Sequence, residues 1–342
     1  MFKFTFNERE IGQVEGLVDQ VLSKWGSSAE PGFFADSSLY AQELPRRLRE
    51  FMAEMKYSEP AGACIVAGFP LDDHAIGKTP PHWAQETKYS ATVRAETAFT
   101  LFGALLGDLF GWATQQNGAI IHNILPIRGH EHEQLGSGSA DLLAWHTEEA
   151  FHPLRCDYVA LMCMRNHDRV PTTFASIDMI GLDEDVRQIL FEPRFIILPD
   201  NSHFAKQSAV AEDAIKQNQS LDEAYQGIEK MNEDPDKVPL LYGNRNSPYL
   251  TVDPYYMRVP ADDNRAEYAL NKLVDAVNEQ LKDIVLLPGD CCFIDNYRSV
   301  HGRKSFTARY DGTDRWLKRI NITRDLRKSR ASRAESTSRV IY

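Results

Sequence analysis

The sequence has no apolar run long enough to cross a bilayer. Its longest stretches, such as Tyr158 to Met164, fall far short of the roughly 20 residues that a membrane helix needs. It has no basic surplus either. Lys and Arg number 38 against 49 Asp and Glu, a formal charge of −11, and this argues against nucleic acid as a partner. Cysteine is sparse: Cys64, Cys156, Cys163, Cys291 and Cys292 are odd in number and include an adjacent pair. That pattern fits neither a disulfide framework nor a CxxC zinc site, so they read as reduced core thiols. The opening MFKFTFNERE lacks the apolar centre of a signal peptide, and a cytoplasmic protein is expected. Internal repeats and low-complexity tracts are absent.

What remains is an ordinary globular composition, 43% hydrophobic and 25% charged, with enough apolar mass for a sizeable core. The 342 residues are expected to form a single domain, since β-rich folds often reach this length as one unit. Ile11, Val14, Leu17, Val18, Val21 and Leu22 recur at helical spacing after a possible Asn7 cap, and Leu48, Phe51, Met52 and Met55 do so after Pro45. Ala63 to Phe69 reads as a buried strand and Phe99 to Trp112 as a buried helix ending near the Asn117-Gly118 turn.

Beyond that turn, short apolar runs at 119–125, 142–146, 158–164, 172–177, 195–198 and 250–252 are separated by Gly, Pro, Asn and Asp. This is the pattern of an antiparallel sandwich or barrel. Residues 205–238 form a polar interruption with weak helical character, read as a surface insertion or lid. Leu270, Leu273, Val274, Val277 and Leu281 mark an amphipathic helix. Ile284 to Leu287, the Pro288-Gly289-Asp290 turn and Cys291 to Asp295 suggest a hairpin. Residues 324–342, rich in Arg and Ser, are expected to be a loosely ordered surface tail.

Trp145-His146-Thr147-Glu148 sets an imidazole and a carboxylate two positions apart, and on a strand such residues share a face. One more histidine would complete a two-histidine, one-carboxylate iron site with open positions, and His301, beside the small Gly302, is the candidate. An isolated HxE pair is more often a surface hydrogen bond. The run Asp314 to Ile322 adds weight, because alternation puts Arg315 and Arg319 on one face with Trp316, Lys318 and Ile320 on the other. Two inward guanidiniums require anions, either structural acids or bound carboxylates.

WHTEEAF, FIDNYRSVHGR and RYDGTDRWLKRINITRD resemble the motifs of the clavaminate synthase-like Fe(II)/2-oxoglutarate oxygenases, most closely the arginine β-hydroxylases and lysine hydroxylases among them. ELPRRLREFMA, FGWATQQNG and PDNSH extend the similarity over nearly the whole chain apart from 205–238 and the two ends. The resemblance implies a double-stranded β-helix, or jelly roll, mainly β with flanking helices. It implies His146, Glu148 and His301 as Fe(II) ligands, and Arg315 with Thr172 or Thr173 on the distal carboxylate of 2-oxoglutarate. Arg319 would clamp the α-carboxylate of a small-molecule amino-acid substrate, with Gln115 and the outer oxygen of Glu148 on its α-amine. Asp200 and Asp253 would meet a cationic side chain, while Tyr255 stands where a further acid is expected. That replacement favours lysine over arginine; Asp253 by itself reads equally well as a turn residue before Pro254. The implied reaction consumes O2 and 2-oxoglutarate and hydroxylates an unactivated C–H at C3 or C4. Glu148 argues against halogenation. Desaturation or cyclisation, or a non-catalytic metal-binding jelly roll, are the alternatives.

Overall fold

Asn7 starts the first helix through a reciprocal capping box. Its side chain accepts from the Glu10 amide at 3.0 Å, and the Glu10 carboxylate accepts from the Asn7 amide at 3.0 Å. In this computed structural model, which describes residues 2–85, 91–207 and 212–342, strand β1 (Phe2–Thr5) leads into helix α1 (Glu8–Trp25). Helix α2 (Pro31–Tyr40) follows. Its apolar residues do not fall on one stripe, so periodicity does not reveal it; Pro31 opens it at the first helical position. Helix α3 (Arg46–Ser58) begins one residue after Pro45 and buries Leu48, Met52 and Met55.

Strand β2 (Ala63–Ala67) stops two residues short of Phe69, where Gly68 takes φ +86°. The expected helix from Phe99 to Trp112 is two elements instead: helix α4 (Val93–Ala104) and strand β3 (Asp108–Trp112). Gly107 makes the break possible, since a Cβ there would lie 2.2 Å from the Thr323 carbonyl oxygen. Residues 95–104 of the helix and 109–112 of the strand are buried without a break, so apolar content alone could not separate them.

The remaining strands are β4 (Ile121–Ile124), β5 (Leu143–His146), β6 (Tyr158–Arg165), β7 (Thr172–Ser176), β8 (Phe195–Ile197), β9 (Lys237–Val238), β10 (Leu241–Gly243), β11 (Pro248–Leu250), β12 (Met257–Arg258), β13 (Lys282–Ile284), β14 (Cys291–Asp295), β15 (Ser299–Arg303), β16 (Trp316–Thr323) and β17 (Val340–Ile341). Among the described residues the major sheet runs β1-β2-β14-β6-β16-β3-β17, with β4 also on β16, and the minor sheet runs β13-β7-β15-β5. Ile65, Val159, Leu161, Phe174, Ile294 and Leu317 fill the space between the sheets. Helices α1 to α4 cover the outer face of the major sheet through Val18, Phe33, Met52, Phe99 and Phe102 against Phe293 and Ile320. Helices α5 (Glu184–Leu190) and α8 (Asn264–Gln280) back the minor sheet. This is the distorted jelly roll expected from the sequence.

β13 and β14 are not a hairpin. β13 pairs with β7 in the minor sheet and β14 with β2 and β6 in the major one, so the Pro288-Gly289-Asp290 turn carries the chain between layers. The insertion includes α6 (Glu212–Gln217) and α7 (Gln219–Glu233), while residues 208–211 lie outside the described set. α7 has more of an apolar side than its sequence suggested, burying Ala224, Tyr225 and Ile228. The tail is not loose at its end: β17 pairs in parallel with β3, and Arg339 meets Asp108 at 2.8 Å. All five cysteines are buried and free. Among the described residues no helix is long and apolar enough to cross a membrane.

Candidate active site

His146 closes β5, and His301 stands directly opposite it in the antiparallel pairing of β5 with β15. Gly302 lets these strands approach. A Cβ there would sit 2.5 Å from the Leu143 carbonyl oxygen and 3.0 Å from the Trp145 nitrogen, so its smallness serves strand packing and not space around a metal. Glu148 lies past the end of β5, in a turn, and reaches the histidines from there without sharing a strand face with His146. Its Oε2 is 3.7 Å from His146 Nε2 and 3.3 Å from His301 Nε2. One donor atom from each residue lies within 4.8 Å of the others, and no other such group exists among the described residues.

The turn is held from far along the chain. The Asn296 carboxamide accepts from the Glu148 amide at 2.8 Å and donates at 3.0 Å to the carbonyls of Glu148 and Cys156. The Thr147 amide donates to the Val252 carbonyl at 2.8 Å. His146 Nδ1 donates to the Ala144 carbonyl at 2.9 Å, which leaves Nε2 as the nitrogen that faces His301 and Glu148. Burial alone would raise the Glu148 carboxyl, but Arg319 and the two imidazoles hold it well below the usual carboxylate range. Burial keeps His301 uncharged. Burial would also lower His146, yet Glu148 and the Asp253 charge lift it to about 9, so metal entry must displace a proton there. Two imidazole nitrogens and one carboxylate beside an open cleft form the donor set suited to ferrous iron in oxygenases.

The cleft, about 330 Å³, is lined at its base by Arg315, Leu317 and Arg319, the inward face that alternation along β16 predicts. Arg315 is buried and donates to Thr172 Oγ1 at 3.2 Å; its Nε is unpartnered and no carboxylate pairs with it among the described residues. Burial pulls its guanidinium down to about 10. A buried cation without a counter-ion calls for an anionic ligand. Arg319 is differently placed, bonding to Glu148 Oε1 through Nη1 and to Gln115 Oε1 at 2.9 Å and His122 Nδ1 at 2.8 Å through Nη2.

Residues 182–321 match the Taurine catabolism dioxygenase TauD, TfdA family. Over its full length the chain is 43% identical to enduracididine beta-hydroxylase of Streptomyces hygroscopicus, covering all of both proteins. It is 45% identical over 307 residues to an L-ornithine/L-arginine 3-hydroxylase of Catenulispora acidiphila, covering 89% of each. The chain belongs to the clavaminate synthase-like Fe(II)/2-oxoglutarate oxygenases. Its fold superposes on the non-heme iron oxygenase OrfP, solved with Fe, succinate and (3S)-hydroxy-L-Arg, with a TM-score of 0.93, 41% identity and 99% of both chains covered. The protein is therefore a 2-oxoglutarate-dependent non-haem iron amino-acid hydroxylase, with His146, Glu148 and His301 as its facial triad.

This oxygenase brings most of the sequence-predicted residues to the cleft. Gln115, Thr172, Asp200, Asp253, Tyr255, Arg315 and Arg319 line it, but Thr173 does not, because it follows Thr172 on β7 and faces the other way. Asp253 is buried and uses Oδ1 to accept from the Tyr255 and Tyr256 amides, both at 3.1 Å; burial raises its carboxyl. Asp200 accepts from the Ser202 amide at 2.8 Å, and Gln115 Nε2 donates to Ser202 Oγ at 2.6 Å. Tyr255 is mostly exposed at the rim. Sequence reasoning missed Asn296, His122, Ser202 and the buried Lys318–Glu96 pair at 2.8 Å behind β16. Asn296, Ser202 and Lys318 had a visible signal, their places inside the FIDNYRSVHGR, PDNSH and RYDGTDRWLKRINITRD motifs.

Proposed function

We propose that the protein hydroxylates C3 of free L-arginine or a close guanidino relative. The observation that carries this reading is the state of Arg319. Its donors are taken by Glu148 Oε1 and Gln115 Oε1, two oxygens that an α-ammonium would use. A zwitterionic amino acid can exchange both ends at once, its carboxylate taking Arg319 and its ammonium taking the freed oxygens. Acids at Asp200 and Asp253 on the same cleft suit a cationic side chain. The leaning toward lysine drawn from Tyr255 yields to the substrates named for the two relatives above, both guanidino or cationic amino acids hydroxylated next to the α-carbon.

In this reading Arg315, with Thr172, takes the distal carboxylate of 2-oxoglutarate, which supplies the missing counter-ion. Bound at the three donors, ferrous iron supplies the oxygen activation that couples decarboxylation of 2-oxoglutarate to hydroxylation. The protein's part is orientation: Arg319, Gln115 and Glu148 fix one end of the substrate and the two aspartates fix the other, so one C–H faces the metal. Within the single domain, residues 205–238 act as a lid that closes on substrate and excludes water. Five buried free thiols suit a reducing cytoplasm.

The experiment is succinate release from 2-oxoglutarate with Fe(II) and O2 across L-arginine, L-homoarginine, L-lysine, L-ornithine and L-citrulline, with mass detection of one added oxygen. L-Arginine or another guanidino acid should lead. Equal turnover of neutral L-citrulline would end the cationic reading. Unchanged hydrogen exchange in 205–238 on substrate addition would end the lid.

A further inference from the structure

Arg319 has a third partner that the exchange just described does not release. His122 lies on β4 opposite Arg319 in the β4–β16 pairing and is buried. Its Nε2–H donates to the Ala119 carbonyl at 2.9 Å, which fixes the tautomer and leaves Nδ1 as an acceptor for Arg319 Nη2 at 2.8 Å. The Gln116 carboxamide clips the preceding turn to β4: its Oε1 accepts from the Asn123 amide and its Nε2 donates to the Asn123 carbonyl, both at 2.9 Å. Gln115 and His122 thereby converge on the same guanidinium nitrogen.

The residue type matters because of charge. A carboxylate beside a buried arginine would orient it equally well but would cancel the charge that a ligand's carboxylate needs. A neutral imidazole orients the guanidinium and leaves its charge whole. We propose that His122 is a positioning residue for substrate: an uncharged acceptor that holds Arg319 toward the cleft and keeps its positive charge available to the α-carboxylate. This rests on the reading of Arg319 given above. Burial first, and then the neighbouring Arg319, push the His122 imidazole down to about 3, so it stays neutral at any working pH.

Asparagine and aspartate are nearly isosteric and can each put an acceptor oxygen near the position of Nδ1, so they separate charge from packing. L-Arginine binding is measured anaerobically on the iron- and 2-oxoglutarate-loaded protein, with L-argininamide as a control. His122→Asn should bind L-arginine within about threefold of the unaltered protein, whereas His122→Asp should bind at least about 30-fold more weakly. Both should keep their affinity for 2-oxoglutarate. Equal binding by the two variants, strong or weak, overturns the proposal. If either variant fails to fold, nitrogen-15 spectra of the unaltered protein loaded with Zn(II) decide instead. They should show a neutral, Nε2-protonated His122 ring from about pH 6 to about pH 9, and a charged or Nδ1-protonated ring overturns the proposal. If the unaltered protein binds L-arginine and L-argininamide equally, the assignment of Arg319 is what has failed.

Discussion

Asn296 grips Glu148 at both ends of its own backbone, accepting from its amide at 2.8 Å and donating to its carbonyl at 3.0 Å across 148 positions of sequence. Asn296→Ala would strand these buried groups, at about 1–3 kcal/mol for each unmet polar atom. Iron affinity should fall by about 10- to 100-fold, the range for losing a residue that orients a metal ligand. Metal titration checks it, and unchanged iron affinity in a folded variant would show that the turn holds its shape without Asn296.

Arg315 is a buried cation waiting for an anion, so removing it should separate stability from function. Arg315→Leu is expected to melt at or above the temperature of the unaltered protein when 2-oxoglutarate is absent, because an unpaired buried charge disappears. Its apparent KM for 2-oxoglutarate should rise by at least about 100-fold. Thermal shift with and without 2-oxoglutarate reads the first effect, and steady-state kinetics read the second. A variant still stabilised by 2-oxoglutarate would reassign its carboxylate to another residue, such as Arg303.

Asp253 both caps a turn and carries charge, and Asp253→Asn keeps the first while removing the second. The Oδ1 that accepts from the Tyr255 and Tyr256 amides survives in the amide. The KM for L-arginine should rise by about tenfold or more, while turnover of L-citrulline should hold or improve. Steady-state kinetics on the two substrates decide it; a parallel loss on both would leave Asp253 as a turn residue only.

Stability should depend on pH through Asp295, which burial lifts from 3.8 to about 7. Between those values the unfolded chain has already given up the proton that the folded protein keeps, so stability falls as pH rises through the window. Asp295→Asn retains an acceptor for the Tyr297 amide, bound at 3.0 Å, and removes the titration. Its melting-temperature advantage should therefore be larger at about pH 8 than at about pH 5. The same advantage at both values would show that Asp295 is not the titrating group.

The parts of the site that lie along strands were legible because alternation is a local property. Arg315 and Arg319 were readable as inward-facing from alternation along Asp314 to Ile322, and His146 from the short run 142–146, whereas His301 stood out by its motif and its small neighbour Gly302. Residues whose role is set by distant partners left no such trace. His122 looks like any histidine on a buried strand until Arg319 is placed beside it, and Asn296 acts on a turn half the chain away. The misread helix at Phe99 to Trp112 and the misread hairpin at Ile284 to Asp295 share one cause. Where most residues of a segment are buried, periodicity fades, and the change of layer depends on glycines such as Gly107 and Gly289, which meet backbone from elsewhere.

Strand β16 carries cations on both sides: Arg319 toward the cleft, and Lys318, bonded to Glu96, toward the helices. A one-residue slip would send the lysine into the cleft and thrust the arginine into the helical layer, breaking the Lys318–Glu96 and Arg319–Glu148 links together. Two salt links on opposite faces thus act as a key and its ward, admitting a single alignment of the strand. The accuracy with which Arg315 and Arg319 meet their ligands is inherited in part from a lysine that touches neither.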